Sequence, residues 1–526
     1  MSPTRILLLT NSEHGQANVF LATSHALLTL PRPHNDDDDD IPEVHFASFP
    51  PISKFVAQTS HHALSSSPSS HPIVFHPISG LPMLQAWSRP EFEAERDGSR
   101  HAQGIRTAWR KMQVLLRVTL PWTGPEFMEI FHSVAEIIRR VNPHITAVDP
   151  AFAPALTAVR HLGVHYLILS PNTIKDFAMP FQPNLEALWR YPCVGSAFAF
   201  PIPVRWVPLN LLLVLLALLA GAWDGHRRRL GEFVRVHGGG ARLTSLNELS
   251  LGPPDGGVKV LVANRLALEF PLKVLPRHVV PCGPIIRPAR GVGEVDGEMA
   301  GWLRGGPTVY VNLGTHVMMS EESAVEMATA LRILLDHARG ARWRGRGMEG
   351  LRVLWKLAVE GEGEGEGERG ESRVYRILGR DVESGAVRIV RWIEAEPTAV
   401  LEEENVVCAV HHGGANSFLE TASAGIPQVV LPVWMDTFDF ARRAELLGIG
   451  RWGNKMSQKT GAPWGGELGN VLIEVLLGPE STRIKERARE LAQLCRQNGG
   501  GRVIAAKMIL RESKEDDMLS QSSGPD

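Results

Sequence analysis

At 526 residues the chain is too long for a single hydrophobic core and implies two or more domains. Its 44% hydrophobic and 21% charged content is that of a soluble globular protein, and a formal net charge of −2 lacks the basic footprint of a nucleic-acid binder. Cys193, Cys282, Cys408 and Cys495 stand far apart with no Cys-x-x-Cys pair. That spacing argues against a disulfide framework or a zinc site and predicts a cytoplasmic protein.

The first element is the strand "RILLLT"; the start lacks the apolar core and cleavage site of a signal peptide. A loop, "NSEHGQ", and a helix through "NVFLATSHALLTL" follow. The acidic tract "PRPHNDDDDDIPE" reads as a solvated loop, "VHFASF" as a second strand and "HHALSSSPSSHP" as a polar loop. "FMEIFHSVAEIIRRV" has helical periodicity, "ITAVDPAF" is a strand running into a turn, "ALTAVRHLG" a helix and "VHYLILS" another strand. Strands alternating with helices imply a mostly parallel sheet.

The segment "WVPLNLLLVLLALLAGAW", residues 206–223, breaks the pattern: it is free of charge, bounded by tryptophans and followed by "DGHRRRL". A membrane span needs roughly 20 apolar residues. Three readings stay open: a greasy helix packed over an acceptor pocket, contact with a membrane surface, and a true span, the last disfavoured because it would interrupt an α/β domain. The first domain is expected to end near residue 285 and a Pro/Gly-rich linker to cover 286–300. A second domain over 301–495 follows, with "TVYVNLGTH", a helix through "SAVEMATALRILLDHA", the strand "RVLWKLAV" and "VRIVRWIEAEP". The Glu-Gly repeat "EGEGEGEGERGESR" is expected to be a surface loop. Residues 496–526 are assigned a helix and a disordered tail, "KEDDMLSQSSGPD".

Chemistry concentrates in "NVVCAVHHGGANSFLETASAGIPQVVLPVW". A buried strand, a glycine turn, a helix and another strand make half of a doubly wound domain, whose ligands sit at the carboxyl ends of the strands. Asn416 and Ser417 read as helix caps, with Glu420 three residues beyond Ser417 as in a capping box. The NH groups of the helix start, with His412 beside them, form a cradle for phosphate. His411 is expected to point away from it.

The string Trp392, Pro397, His412, Gly413, Asn416, Ser417, Glu420, Gly425, Pro427, Pro432 and Asp436 resembles the signature of family 1 UDP-sugar-dependent glycosyltransferases, especially their fungal members. Gly314 and Thr315 in "VNLGTH" resemble the family's small-residue turn facing the donor diphosphate. The resemblance covers most of the chain. It implies a GT-B fold of the α/β class, two Rossmann-like doubly wound domains facing each other across a cleft. It also implies an inverting enzyme that moves a sugar, UDP-glucose by default, to an O-acceptor that is a lipophilic small molecule such as a terpenoid, sterol, polyketide or aromatic metabolite. By that resemblance Trp392 stacks on uracil and Glu420 accepts from the ribose hydroxyls. His412, Gly413, Gly414, Asn416 and Ser417 hold the diphosphate, and Asp436 binds sugar hydroxyls. Thr437 stands where many plant members have glutamine, which leaves the sugar open. No metal or other cofactor is expected, because the cradle itself would stabilise departing UDP.

The family's base is a histidine in the first strand–helix loop, oriented by an aspartate on a later strand. Here Gln16 takes that histidine's place and His14 precedes the glycine, so His14 is the candidate base and Asp149 its partner; Glu13 and His25 are the alternatives. A second function class also stands: a non-catalytic sugar-nucleotide-binding subunit docking at a membrane through 206–223. The intact donor signature favours the enzyme.

Overall fold

The computed structural model describes residues 3–31, 41–92, 114, 116–252, 257–315, 317–340, 348–359, 372–434 and 436–522. The acidic tract at 32–40 and most of the Glu-Gly repeat, 360–371, lie outside these residues.

Two parallel sheets organise the chain. The first is built from β1 (Arg5–Leu9), β2 (Glu43–Ser48), β3 (Val74–Pro77), β4 (Ile145–Val148), β5 (Tyr166–Ser170), β6 (Val260–Val262) and β7 (Val279–Pro281), in the order β3-β2-β1-β4-β5-β6-β7. The second contains β8 (Thr308–Asn312), β9 (Arg352–Lys356), β10 (Val387–Val390), β11 (Val406–His411), β12 (Gln428–Val430) and β13 (Gly450–Trp452), in the order β10-β9-β8-β11-β12-β13. In each sheet the order reverses beside the first strand, at β1/β4 and at β8/β11, which opens a crevice at the carboxyl ends. The expected doubly wound α/β architecture, with two such units, is what forms.

The helices that matter below are α1 (His14–Thr29), α2 (Ser53–Ser66), α3 (Gly124–Val141), α4 (Ala153–Leu162), α5 (Val207–Ala222) and α6 (Gly225–His237) in the first unit. The second unit adds α7 (Glu321–Ala338), α8 (Ala415–Ala424), α9 (Thr437–Leu447), α10 (Gly465–Leu477) and α11 (Ser481–Arg496), and α12 (Gly501–Ser522) ends the chain.

Alternation along the strands explains the layering. In β1, Leu7 and Leu9 pack with α3 and α4 on one face, while Ile6 and Leu8 pack with α1 and α2 on the other. In β8, Val309 and Val311 face α7 and α10, and Tyr310 faces the opposite layer. Ala505, Ala506 and Ile509 of α12 belong to the same core as Ile6, Ala17 and Phe20, so the C-terminal segment returns to the first domain. The backbone of α12 is helical through Ser522, and residues 523–526 lie outside the described residues.

The apolar segment is helical, but it is not the buried pocket-lining helix that was one expectation. Only Asn210 and Ala220 of α5 are buried, and none of its residues lines the cleft described next.

Candidate active site

A cavity of about 480 Å³ lies between the two carboxyl-end crevices and takes walls from both domains. One wall comes from the loop after β1 and the start of α1, which supply Glu13, His14, Gly15 and Gln16. Phe55, Met83, Leu84, Trp87 and Val118 continue that wall as an apolar surface. The opposite wall carries Gly314, Thr315, Trp392, His412, Gly414, Asn416, Ser417, Glu420 and Asp436. Residues spread over more than 400 positions of sequence thus converge because both sheets present their carboxyl ends to one space.

The turn after β11 shows why its residue types are needed. His411 is buried; its Nδ1 accepts the NH of Gly413 at 3.0 Å and its Nε2 lies 2.7 Å from Gln428 Oε1. That pairing fixes the tautomer with the proton on Nε2, and burial pushes the ring's pKa down to about 4, so His411 braces the turn as a neutral group. It points away from the cavity, as expected. His412 instead faces the cavity, seated between two glycines. A Cβ on Gly314 would stand 2.9 Å from His412 Cε1, and one on Gly414 2.5 Å from Nε2. Gly413, at φ +86°, has no room for a side chain either, since a Cβ would meet Val430 Cγ1 at 2.8 Å. Its contribution is a backbone conformation rather than a place on the wall.

Helix α8 begins one turn earlier than the capping reading predicts. Gly414 is its N-cap and Ala415 its first residue, with no side-chain cap hydrogen bond. Asn416 and Ser417 therefore sit inside the first turn, facing the cavity, and Glu420 is a turn further on rather than a capping acid. Its carboxyl is pushed up to about 7 by burial, opposed by the Arg287 guanidinium. Arg287, which follows β7, is itself lowered to about 10 by burial; it pairs with Glu396 and lies over the Phe55 ring at 5.4 Å. Trp392 is 58% exposed at the rim, with Lys356 Nζ 4.4 Å from its ring centre, so it is not a core residue.

Asp436 opens to the cavity, and the surrounding protein raises its carboxyl to about 6, with the neighbouring Asp176 and Asp439 adding to the rise. Asp176 comes from the other domain. It closes a capping box with Thr173 at the start of the short helix Ile174–Ala178, and burial raises its carboxyl despite Lys175 and Arg443 nearby. The pattern Thr-x-x-Asp just past β5 was a legible signal for this cleft residue; the sequence reading had missed it, along with Arg287 and Lys356. Thr437 corrects an expectation. It is fully buried, and its hydroxyl accepts the NH groups of Val433 and Trp434, each at 3.1 Å, and donates to the Trp434 carbonyl. It shapes the turn into α9 and is not on the cavity wall.

His14 is on the wall, its ring edge-on to Phe55 with centres 4.6 Å apart. Asn416 Nδ2 donates to the His14 carbonyl at 3.2 Å, a direct tie between the glycine-turn helix and the opposite loop. Asp149 is completely buried behind that wall. It accepts from Ala151 N at 2.8 Å, from Thr10 Oγ1 at 3.3 Å and from Asn11 N at 3.4 Å, and burial raises it to about 6. It therefore fixes the end of β1, from which the His14 loop departs. Glu13, the N-cap of α1, accepts Leu84 N at 3.0 Å and is raised by burial. His25 is buried in α1 and away from the cavity, which removes it as a base.

The chain is similar to known proteins in sequence and in fold. A family model, erythromycin biosynthesis protein CIII-like, C-terminal domain, matches residues 380–462. Glycosyltransferase sdnJ of Sordaria araneosa is 31% identical over 523 residues, covering 96% of this chain and 97% of that protein. The chain belongs to the family 1 UDP-glycosyltransferases. It is a glycosyltransferase enzyme of GT-B fold. In fold, a UDP-glucosyltransferase from Polygonum tinctorium capable of glucosylating indoxyl superposes with a TM-score of 0.60 at 18% identity, over 98% of this chain and 99% of that one. Phytolacca americana UGT2, solved with UDP-2-fluoro-glucose and pterostilbene, gives 0.58 at 15% identity, over 97% and 99%.

Proposed function

We propose that this glycosyltransferase moves a hexose from a UDP-sugar, UDP-glucose as the default donor, to a hydroxyl of a lipophilic small molecule, with inversion at the anomeric carbon. The observation that carries the reading is the shared cavity, where the apolar wall of Phe55, Met83, Leu84, Trp87 and Val118 faces the His412–Glu420 side across one space. In this reading Trp392 stacks on uracil, Glu420 accepts from the ribose hydroxyls, and His412 and Ser417 hold the diphosphate with the free NH groups that open α8. Asp436 binds sugar hydroxyls. His14 takes the acceptor proton as the acceptor oxygen attacks the anomeric carbon. The bond from that carbon to the phosphate oxygen breaks, and the charge on departing UDP is met by His412 and the positive end of α8. That assignment gives a divalent cation no role, so a chelator is expected to leave turnover unchanged. The four cysteines, all free thiols, suit the cytoplasm.

The test is incubation with UDP-glucose and a panel of hydrophobic alcohols and phenols, reading UDP release and the anomeric coupling constant of the product. UDP release that no hydrophobic acceptor stimulates would sink the acceptor class. A retained anomeric configuration would sink the single-displacement mechanism.

A further inference from the structure

Helix α5 leaves more apolar surface open than any core helix should. Leu211, Leu212, Leu215 and Leu218 are each 40–52% exposed, and with Ala222 they fall on one side at helical spacing. The opposite side carries the two buried residues. Asn210 fastens it to the domain: Nδ2 donates to the Leu188 and Tyr191 carbonyls at 2.8 and 3.2 Å, and Oδ1 accepts Cys193 N at 2.8 Å. An exposed tryptophan stands at each end with an arginine against it. Arg205 lies 5.8 Å from the Trp206 ring centre, and Arg228 reaches the Trp223 carbonyl. Arg229, also exposed, adds to the charge at the second end.

We propose that α5 seats the enzyme on an anionic lipid bilayer, lying in the plane of the interface. Leucines on one side enter the acyl boundary, tryptophans at both ends sit at headgroup level, and arginines beside them meet lipid phosphates; this is the distribution an interfacial helix requires. Length does not decide against a span, because the helical stretch Val204–His237 is long and apolar enough to cross a bilayer; anchoring does. Asn210 holds the helix against the surface of the first domain, so both ends stay on one side. The choice of lipid over a second copy of this chain rests on charge, because a self-paired face would set Arg205, Arg228 and Arg229 against their own copies. The surface also adjoins the acceptor side of the cleft. In α6, which directly follows α5, His226 Nε2 lies 2.9 Å from the Leu120 carbonyl, two residues from Val118 on the cleft wall.

The test is co-sedimentation of the full chain with phosphatidylcholine vesicles and with vesicles that also contain phosphatidylserine. Wild type is expected to bind the mixed vesicles, and to bind them less at high salt. Leu211→Ser/Leu215→Ser/Leu218→Ser should lose roughly a hundredfold or more in partitioning, and Arg228→Glu/Arg229→Glu about tenfold or more on the mixed vesicles alone. UDP binding should be unchanged in both variants and serves as the check on folding. Failure of wild type to bind either vesicle, or triple-variant binding equal to wild type, overturns the proposal. So does sedimentation of the wild type as a dimer that the leucine changes split, which would assign the face to a second copy. None of these outcomes depends on the sugar acceptor.

Discussion

His14 is the first residue of α1, and what surrounds it sets how it can act. Its carbonyl is held by Asn416 from the other domain and its ring by Phe55, so its position depends on both walls of the cleft. His14→Ala is expected to lower kcat by about 10²–10⁴-fold while UDP affinity stays near wild type. Asp149→Asn should give a smaller loss, because that carboxylate positions the end of β1, and Gln16→Ala should act mainly on KM. Near-normal turnover in His14→Ala would move the proton acceptor to Glu13, whose raised carboxyl faces the same cavity.

Glu420 gives a prediction in pH. Burial raises its carboxyl to about 7, so a carboxylate able to accept ribose hydroxyls is lost as pH falls through that value. UDP affinity should therefore weaken below about pH 7, and Glu420→Gln should flatten that dependence. For stability the sign is opposite. A carboxyl whose folded pKa lies above its ordinary value favours the fold below about pH 4.5, and that contribution disappears as pH rises to about 7. Thermal melts should then show wild type losing stability relative to Glu420→Gln between those limits. Parallel wild-type and variant curves, in binding and in melting alike, would remove Glu420 as a titrating ligand group.

At the scale of elements, α9 is tied to the first domain by charges fully out of solvent. Arg443 Nε donates to Glu269 Oε1 at 2.7 Å, and Glu269 also accepts Phe270 N at 2.9 Å and Lys175 N at 3.2 Å. Lys175 pairs with Asp439, and Arg443 packs over the rings of Phe270 and Phe440. Two of the cleft carboxylates neighbour this network, Asp176 beside Lys175 on its short helix and Asp436 at the N-cap of α9. Arg443→Met would leave Glu269 buried without its counter-charge, at a cost of about 3–5 kcal/mol. Calorimetry should show a clearly lowered Tm. An unshifted Tm would mean that the network holds nothing together.

On the scale of the whole molecule, α12 crosses back to close the first domain, placing Ala505, Ala506 and Ile509 against Ile6, Ala17 and Phe20. Truncation after Arg496 is expected to expose that face and to yield aggregation or a separate low-temperature unfolding transition in calorimetry, although every cleft residue named above is retained. A truncated chain that melts like wild type would show that the crossing is dispensable.

The continuous apolar runs of "RILLLT" and "NVVCAV", the glycines of "HHGG" and the spacing from Trp392 to Asp436 were enough to specify two parallel-sheet domains and one wall of the cleft. These are local properties, carried by apolar runs and by turns that only glycine can make. The opposite wall was harder to read. His14 and Asp149 stand out by the family resemblance and Asp176 by its Thr-x-x-Asp cap, but Arg287 and Lys356 acquire meaning only when two crevices close on one space. Thr437 was misread because adjacency to Asp436 in sequence says nothing about direction; one residue points into the cavity and the next into the turn. Helix α5 shows the same limit. A run of leucines fixes a helix and its greasiness, while burial depends on what lies opposite, and only the folded chain showed Leu211, Leu212, Leu215 and Leu218 left exposed among the described residues.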